Sequence, residues 1–90
     1  MKFTLTRQAE EDLIQVYLYG RQVFGPLQAE KYHGSLEKTF NRIAENPEIY
    51  PLASHIRKGY RYCVHTSHSI FFTVEDQVRI VRIIGKQKFP

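Results

Sequence analysis

Hydrophobic and polar positions along this chain follow a helical period up to about residue 46 and an alternating period beyond about residue 59. Lys2-Phe3-Thr4-Leu5 alternates and predicts a short strand. Thr6 then carries a hydroxyl suited to cap a helix, and Glu10, Glu11 and Asp12 place negative charge near that helix's positive end. Ala9, Leu13, Val16, Tyr17, Gly20 and Phe24 recur at spacings of three and four, which predicts one buried face. Ile14 and Leu18 lie beside that stripe and widen it. Phe24-Gly25-Pro26 stops the first helix and starts a second, because proline is pre-shaped for a first helical turn. The second helix is predicted from about Pro26 to Asn46, with Ala29, Tyr32, Leu36, Phe40, Ile43 and Ala44 as its apolar stripe. So short a joint makes an antiparallel helical hairpin. Gly34 in the second helix costs about 1 kcal/mol relative to alanine and points to close approach by a neighbour.

Past Pro47 and Pro51, three strands are predicted at about Tyr60 to His65, Ser69 to Val74 and Gln77 to Ile84. Their joints, Thr66-Ser67-His68 and Glu75-Asp76, are short enough for an antiparallel meander. Ile80 to Ile84 is apolar apart from Arg82, a pattern suited to a strand covered on much of both faces. The order β-α-α-β-β-β predicts an α+β domain, an antiparallel sheet with the helical hairpin packed on one face.

Length and composition narrow the class. A chain of 90 residues is expected to form a single domain, 1–90, with one modest core. At 42% hydrophobic and 13% aromatic it is too apolar to be disordered. Cys63 is alone, so no intramolecular disulfide forms. Arg7, Glu10, Glu11 and Asp12 interrupt any signal-peptide core, and no run approaches the ~18 apolar residues of a membrane span. The expectation is a cytoplasmic domain with no membrane partner.

Charge divides the chain. Residues 1–53 carry six Lys/Arg against seven Asp/Glu, whereas residues 54–90 carry seven against two, so the formal +4 resides in the C-terminal part. Such one-sidedness suits an acidic partner, nucleic acid or a nucleic-acid-handling protein. Arg57, Lys58, Arg61, Arg82, Lys86 and Lys88 are the candidate target-binding residues. The bland alternative is that Arg57, Lys58 and Arg61 solvate an edge strand and deter pairing. Arg82, in an apolar strand, needs a carboxylate such as Asp12 on the first helix, a structural role.

Cys63, His65 and His68 have the spacing C-x-H-x-x-H, which lacks a fourth ligand, and neighbouring strand residues face opposite ways. No metal, no cofactor and no Cys–His nucleophile is therefore expected; His68 is expected to hold the turn by hydrogen bonds. Tyr60, Tyr62, Phe71 and Phe72 suit base stacking or, more commonly at strand positions, a core. The flank of the hairpin, Ile14, Leu18, Tyr19 and Val23, is left uncovered and forms a candidate docking groove for a partner helix.

Several segments in order carry a family resemblance. They are Leu5-Thr6 leading into Ala9 and Asp12-Leu13, Phe24-Gly25-Pro26 with Gln28-Ala29-Glu30 and Tyr32, and Ile43-Ala44-Glu45-Asn46-Pro47. Ile56-Arg57-Lys58-Gly59-Tyr60-Arg61, His68-Ser69-Ile70-Phe71-Phe72 and Val81-Arg82-Ile83-Ile84 complete the series. In this order the chain resembles the RelE/ParE superfamily of bacterial toxins, and within it the ParE branch.

The resemblance implies a toxin of a type II toxin–antitoxin system. RelE-type members are ribosome-dependent endoribonucleases, with an arginine on the middle strand of the meander, another past the last strand and a tyrosine further on. Here those positions hold Ser69 and Gln87, and no tyrosine follows. ParE-type members lack that set and are implicated in poisoning DNA gyrase, so the resemblance implies a non-enzymatic toxin that binds gyrase. It further implies neutralisation by a ParD-like antitoxin, whose tail folds on Ile14, Leu18, Tyr19 and Val23, and no sequence-specific nucleic-acid binding. The alternatives are a messenger-RNA interferase using Lys58, Arg61 and Lys86, or a degenerate member that binds antitoxin without toxicity. The stretch after Ile84, Gly85-Lys86-Gln87-Lys88-Phe89-Pro90, departs from the His-containing longer tail frequent in the ParE branch.

Overall fold

The computed structural model describes residues 1–85. Its elements are β1 (Phe3–Leu5), α1 (Arg7–Phe24), α2 (Pro26–Glu45), a 3₁₀ turn (Pro47–Ile49), β2 (Arg61–His65), β3 (His68–Val74) and β4 (Val78–Gly85). The predicted order holds, with boundaries displaced by one residue at most strand ends.

Thr6 fixes where the first helix begins. Its hydroxyl oxygen accepts from the Ala9 amide at 3.1 Å, while the hydroxyl donates to the Val81 carbonyl at 3.0 Å. Its own amide reaches the Ile80 carbonyl at 2.9 Å, so one residue caps α1 and ties it to β4. At the other end Gly25, with φ +91°, is the single residue between the helices. A side chain is strained at that angle, and Pro26 follows at the first position of α2. The helices approach closely near this joint: a β-carbon placed on Gly20 would lie 3.7 Å from that of Ala29.

The sheet order is β1-β4-β3-β2. β2, β3 and β4 form the predicted antiparallel meander. β1 adds to the outer edge of β4 in parallel, with Phe3 opposite Val78 and Leu5 opposite Ile80, so the sheet is mixed rather than wholly antiparallel. A three-residue strand carries too little pattern to reveal its direction. The long crossover through both helices and the meander permits the parallel pairing.

β4 also explains the apolar run containing Arg82. Phe71 pairs with Arg82 but Phe72 pairs with Ile80, leaving Val81 as an extra residue in a bulge. The buried positions of β4 therefore step from Val78 and Ile80 to Ile83, and Arg82 escapes the interior.

The core lies between the hairpin and one sheet face. Ala9, Leu36, Phe40, Ile43 and Ala44 from the helices meet Ile70, Phe72, Val78, Ile80 and Ile83 from the sheet. Phe3 packs on Phe40 and Tyr50 on Phe72, with ring centroids 5.5 and 5.8 Å apart. No helix among the described residues is long and apolar enough to cross a membrane.

Candidate functional site

The stripe that α1 turns inward leaves its opposite flank uncovered. Ile14, Leu18, Tyr19 and Val23 are each at least half exposed, between 50% and 58%. Phe24 and Leu27, at 66% and 79%, extend the apolar surface around the interhelical joint, and the sequence pattern had assigned Phe24 to the buried stripe. Phe24 is the last residue of α1, beside the interhelical joint, where it lines a cleft instead of joining the core. Beside this surface, an apolar cleft of about 230 Å³ opens between the helices and the β2–β3 turn, lined by Val16, Gly20, Phe24, Tyr32, Leu36 and Thr66, among others. These exposed apolar residues and the cleft are the candidate interaction surface.

The candidate cations fall into separate settings. Arg57 and Lys58 are exposed in a tight turn between residues 53 and 60, where the Arg57 amide donates to the Ala53 carbonyl at 3.1 Å and Gly59 takes φ +87°. Arg61, on β2, donates to the Tyr50 carbonyl at 2.7 Å and anchors the loop that follows the 3₁₀ turn. Arg82 forms a fork with Asp12, Nε to Oδ2 at 2.7 Å and Nη2 to Oδ1 at 3.1 Å. Asp12 Oδ2 also accepts the Ile83 amide at 2.9 Å, covering the edge of β4 beyond the end of β1. Its hydrogen bonding to the Asp12 carboxylate, the largest cause, holds the Arg82 guanidinium above its already high pKa. The structural pairing expected for Arg82 is thus present. Lys86 and Lys88 lie outside the described residues.

A polar cluster ties α2 to the hairpin of β2 and β3. Tyr32, Ser35, Thr39 and Arg42 line one side of α2 at spacings of three and four and receive His65 and His68 from the strand ends. Ser35 donates its proton to the Tyr32 carbonyl at 2.7 Å, so its oxygen accepts from His65 Nε2 at 3.0 Å. Thr39 lies 2.9 Å from Nδ1 on the other side of the ring, donates its proton to the Ser35 carbonyl at 3.0 Å and accepts from Arg42 Nη2 at 3.0 Å. Burial first, and then the charge of Arg42, push the His65 pKa down, which favours the neutral ring.

Tyr32 Oη and His68 Nδ1 are 2.6 Å apart, so His68 does fix the turn. This cluster was missed in the sequence because helix position and strand ends meet only in the fold; the i, i+3, i+7, i+10 run of Tyr32, Ser35, Thr39 and Arg42 was its one signal. Cys63 is half-buried against the core, and burial raises its thiol pKa, the opposite of nucleophile activation. Among the described residues no group of three or more His, Cys, Asp or Glu is placed to hold a metal.

Comparison with known proteins accords with this architecture. Residues 3–88 match the family model described as the ParE toxin of the type II toxin–antitoxin system parDE. The chain is 35% identical over 82 residues to Toxin ParE1 of Caulobacter vibrioides, covering 91% of this chain and 85% of that protein. It is 31% identical over 88 residues to Toxin ParE1 of Mycobacterium tuberculosis, covering 96% and 90%. The fold superposes with TM-score 0.82 and 22% identity on a chain from a chromosomal ParDE toxin–antitoxin system of P. aeruginosa, covering 94% and 95%. With the β-α-α-β-β-β order, the exposed hairpin flank and a match over nearly the whole chain in place, the chain belongs to the ParE toxin family of type II toxin–antitoxin systems.

Proposed function

We propose that this ParE toxin acts by binding DNA gyrase and blocking religation of cleaved DNA, without catalysis of its own, and that a ParD-like antitoxin neutralises it. The observation that carries the choice against RNA cleavage is the state of the cations. Cleaving RNA needs cationic and acid–base groups converging on one phosphate. Here the middle strand offers Ser69, Arg61 is bound to the Tyr50 carbonyl, and Arg82 is forked on Asp12. The His65 ring is held between the Ser35 and Thr39 hydroxyls, and burial pushes its pKa down. A toxin that works by binding needs only a surface with higher affinity for one state of its target.

We assign Arg57 and Lys58, exposed in their turn, to the target-binding surface. We assign Ile14, Leu18, Tyr19 and Val23 to antitoxin docking, since their uncovered flank supports helix-in-groove recognition.

The test is incubation of the toxin with gyrase, ATP and supercoiled plasmid, with detergent and protease trapping cleaved DNA. A linear product that requires toxin and vanishes on adding antitoxin is expected. Folded toxin that yields neither linear plasmid nor loss of supercoiling contradicts the proposal.

A further inference from the structure

The close neighbour expected at Gly34 is not in this chain, since an added β-carbon there meets no atom within 4 Å. Outside the hairpin, the chain between the 3₁₀ turn and β2 forms an ordered loop that shows apolar side chains to solvent. Leu52 and Arg61 bridge its ends, and the Tyr62 amide donates to the Pro51 carbonyl at 3.1 Å. Inside it, the Ala53 amide donates to the Tyr60 carbonyl at 2.7 Å, and the Ala53 carbonyl accepts from the Ile56 and Arg57 amides at 2.9 and 3.1 Å. Arg61 Nη1 donates to the carbonyls of Glu48 and Tyr50 at 3.4 and 2.7 Å, holding the 3₁₀ turn against β2. Ala53 is wholly buried, and Tyr50 packs edge-on against Phe72. Compact loops with bridged ends and internal packing are frequent carriers of function.

Those anchors leave the larger aliphatics outside. Ile49, Leu52 and Ile56 are each at least half exposed. Single exposed aliphatics are ordinary, but three on one closed loop are a concentration. Charge adds to it: residues 49–62 hold Arg57, Lys58 and Arg61 and no aspartate or glutamate. Among the described residues, neither Arg57 nor Lys58 pairs with a carboxylate.

We propose that this loop seats on the gyrase protein, with Ile49, Leu52 and Ile56 entering an apolar recess and Arg57 and Lys58 meeting carboxylates at its rim. The assignment rests on the reading that gyrase is the target, and it adds the residues that carry the affinity. Cations with no acid among them select an acidic surface. Aliphatic side chains gain nothing from a phosphate backbone, so the partner is protein rather than DNA alone. Burying them supplies the apolar centre of an interface, and the cations supply its polar rim. A second copy of this chain fits poorly, because a two-fold contact would set Arg57 and Lys58 against the same cations.

The test titrates four forms of the toxin into gyrase with ATP and supercoiled plasmid, and reads the concentration that gives half the maximal linear product. They are the natural chain, Leu52→Ser with Ile56→Ser, Arg57→Ala with Lys58→Ala, and Val64→Thr, which alters an exposed aliphatic on β2 outside the loop. The serine variant is expected to need at least ~10-fold more toxin, a loss that persists as salt rises. The alanine variant is expected to lose less, and its loss to shrink with salt. Val64→Thr should stay within about twofold of the natural chain. Circular dichroism and the thermal midpoint of the free toxin should be undiminished throughout, since every altered side chain is exposed. Should the serine pair lower the midpoint, Ile49→Ser takes its place.

If the natural chain yields linear plasmid and the serine variant matches it within about twofold, the loop inference fails alone. If the natural chain yields neither linear plasmid nor loss of supercoiling, gyrase fails as the target and the inference falls with it. An equal loss from Val64→Thr would overturn the inference in favour of surface apolarity in general, and a loss confined to the alanine variant would assign the loop to DNA instead. Should both natural and serine forms poison gyrase equally while only the natural chain floats with phosphatidylglycerol vesicles, the loop's partner is a lipid surface and the inference is wrong.

Discussion

Replacing Asp12 by alanine removes three hydrogen bonds at once, because its carboxylate holds both arms of Arg82 and the amide of Ile83. The costs are unequal. Ile83 is buried, and its amide at the β4 edge loses its acceptor, which costs about 1–3 kcal/mol. The Arg82 side chain is 42% exposed, so water solvates the released guanidinium, and losing the pair itself adds only about 0.5–1 kcal/mol. Asp12→Ala should therefore destabilise by roughly 2–3 kcal/mol.

Arg82→Ala should cost only about 1 kcal/mol, because Asp12 keeps the Ile83 amide and turns its other oxygen toward solvent. The double variant should resemble Asp12→Ala alone, with a coupling of about 0.5–1 kcal/mol. Urea denaturation of the two single variants and the double variant measures all three values. A loss for Arg82→Ala equal to or above that for Asp12→Ala would refute the reasoning, since the ion pair and not the amide would then dominate.

His65 has its pKa pushed down in the folded state, so the unfolded chain binds the proton more tightly. Stability should be full above the unfolded value near ~6.5 and fall as pH drops below it toward the folded value, and a His65→Gln variant should show a flatter thermal midpoint over that window. Thr66 adopts φ +54° in the β2–β3 turn, an unfavourable angle for a β-branched residue, so Thr66→Gly should raise stability by about 1 kcal/mol in the same denaturation assay. Thr6→Ala removes both the α1 cap and the tie to Val81 and should cost about 1–2 kcal/mol, read from the urea midpoint. Reversing charge at Arg57 and Lys58 should reduce gyrase inhibition while leaving antitoxin affinity unchanged by calorimetry, because neither residue lines the clefts of the hairpin.

How far the sequence carries depends on which interactions are local. Thr6, the Phe24-Gly25-Pro26 joint and the alternation of β2 and β3 act within a few residues, so their roles were legible directly. The Arg82–Asp12 pair was also reachable, although the partners are 70 residues apart, because a charge in an apolar strand demands a counter-charge. The parallel pairing of β1 and the bulge at Val81 were not legible: both depend on how a crossover closes, and neither leaves a periodic trace. The hydroxyl–imidazole cluster stayed hidden for a similar reason, since His65 reads only as the end of a strand until Ser35 and Thr39 are seen on either side of its ring. At the candidate docking surface, the exposure of Ile14, Leu18, Tyr19 and Val23 followed from counting apolar residues beyond those the core needs. The basic residues read as one patch along the chain. In three dimensions Arg57 and Lys58 share a turn, whereas Arg61 and Arg82 are engaged elsewhere.

One experiment weighs target against target most directly. A single preparation of folded toxin is added in parallel to gyrase relaxing and supercoiling plasmid, and to ribosomes programmed with a messenger RNA whose ends are mapped. Loss of supercoiling, with intact messenger, is the predicted result. Messenger cut on the ribosome, with gyrase turning over at its normal rate, would contradict it and return Lys58, Arg61 and Lys86 to consideration as catalytic residues.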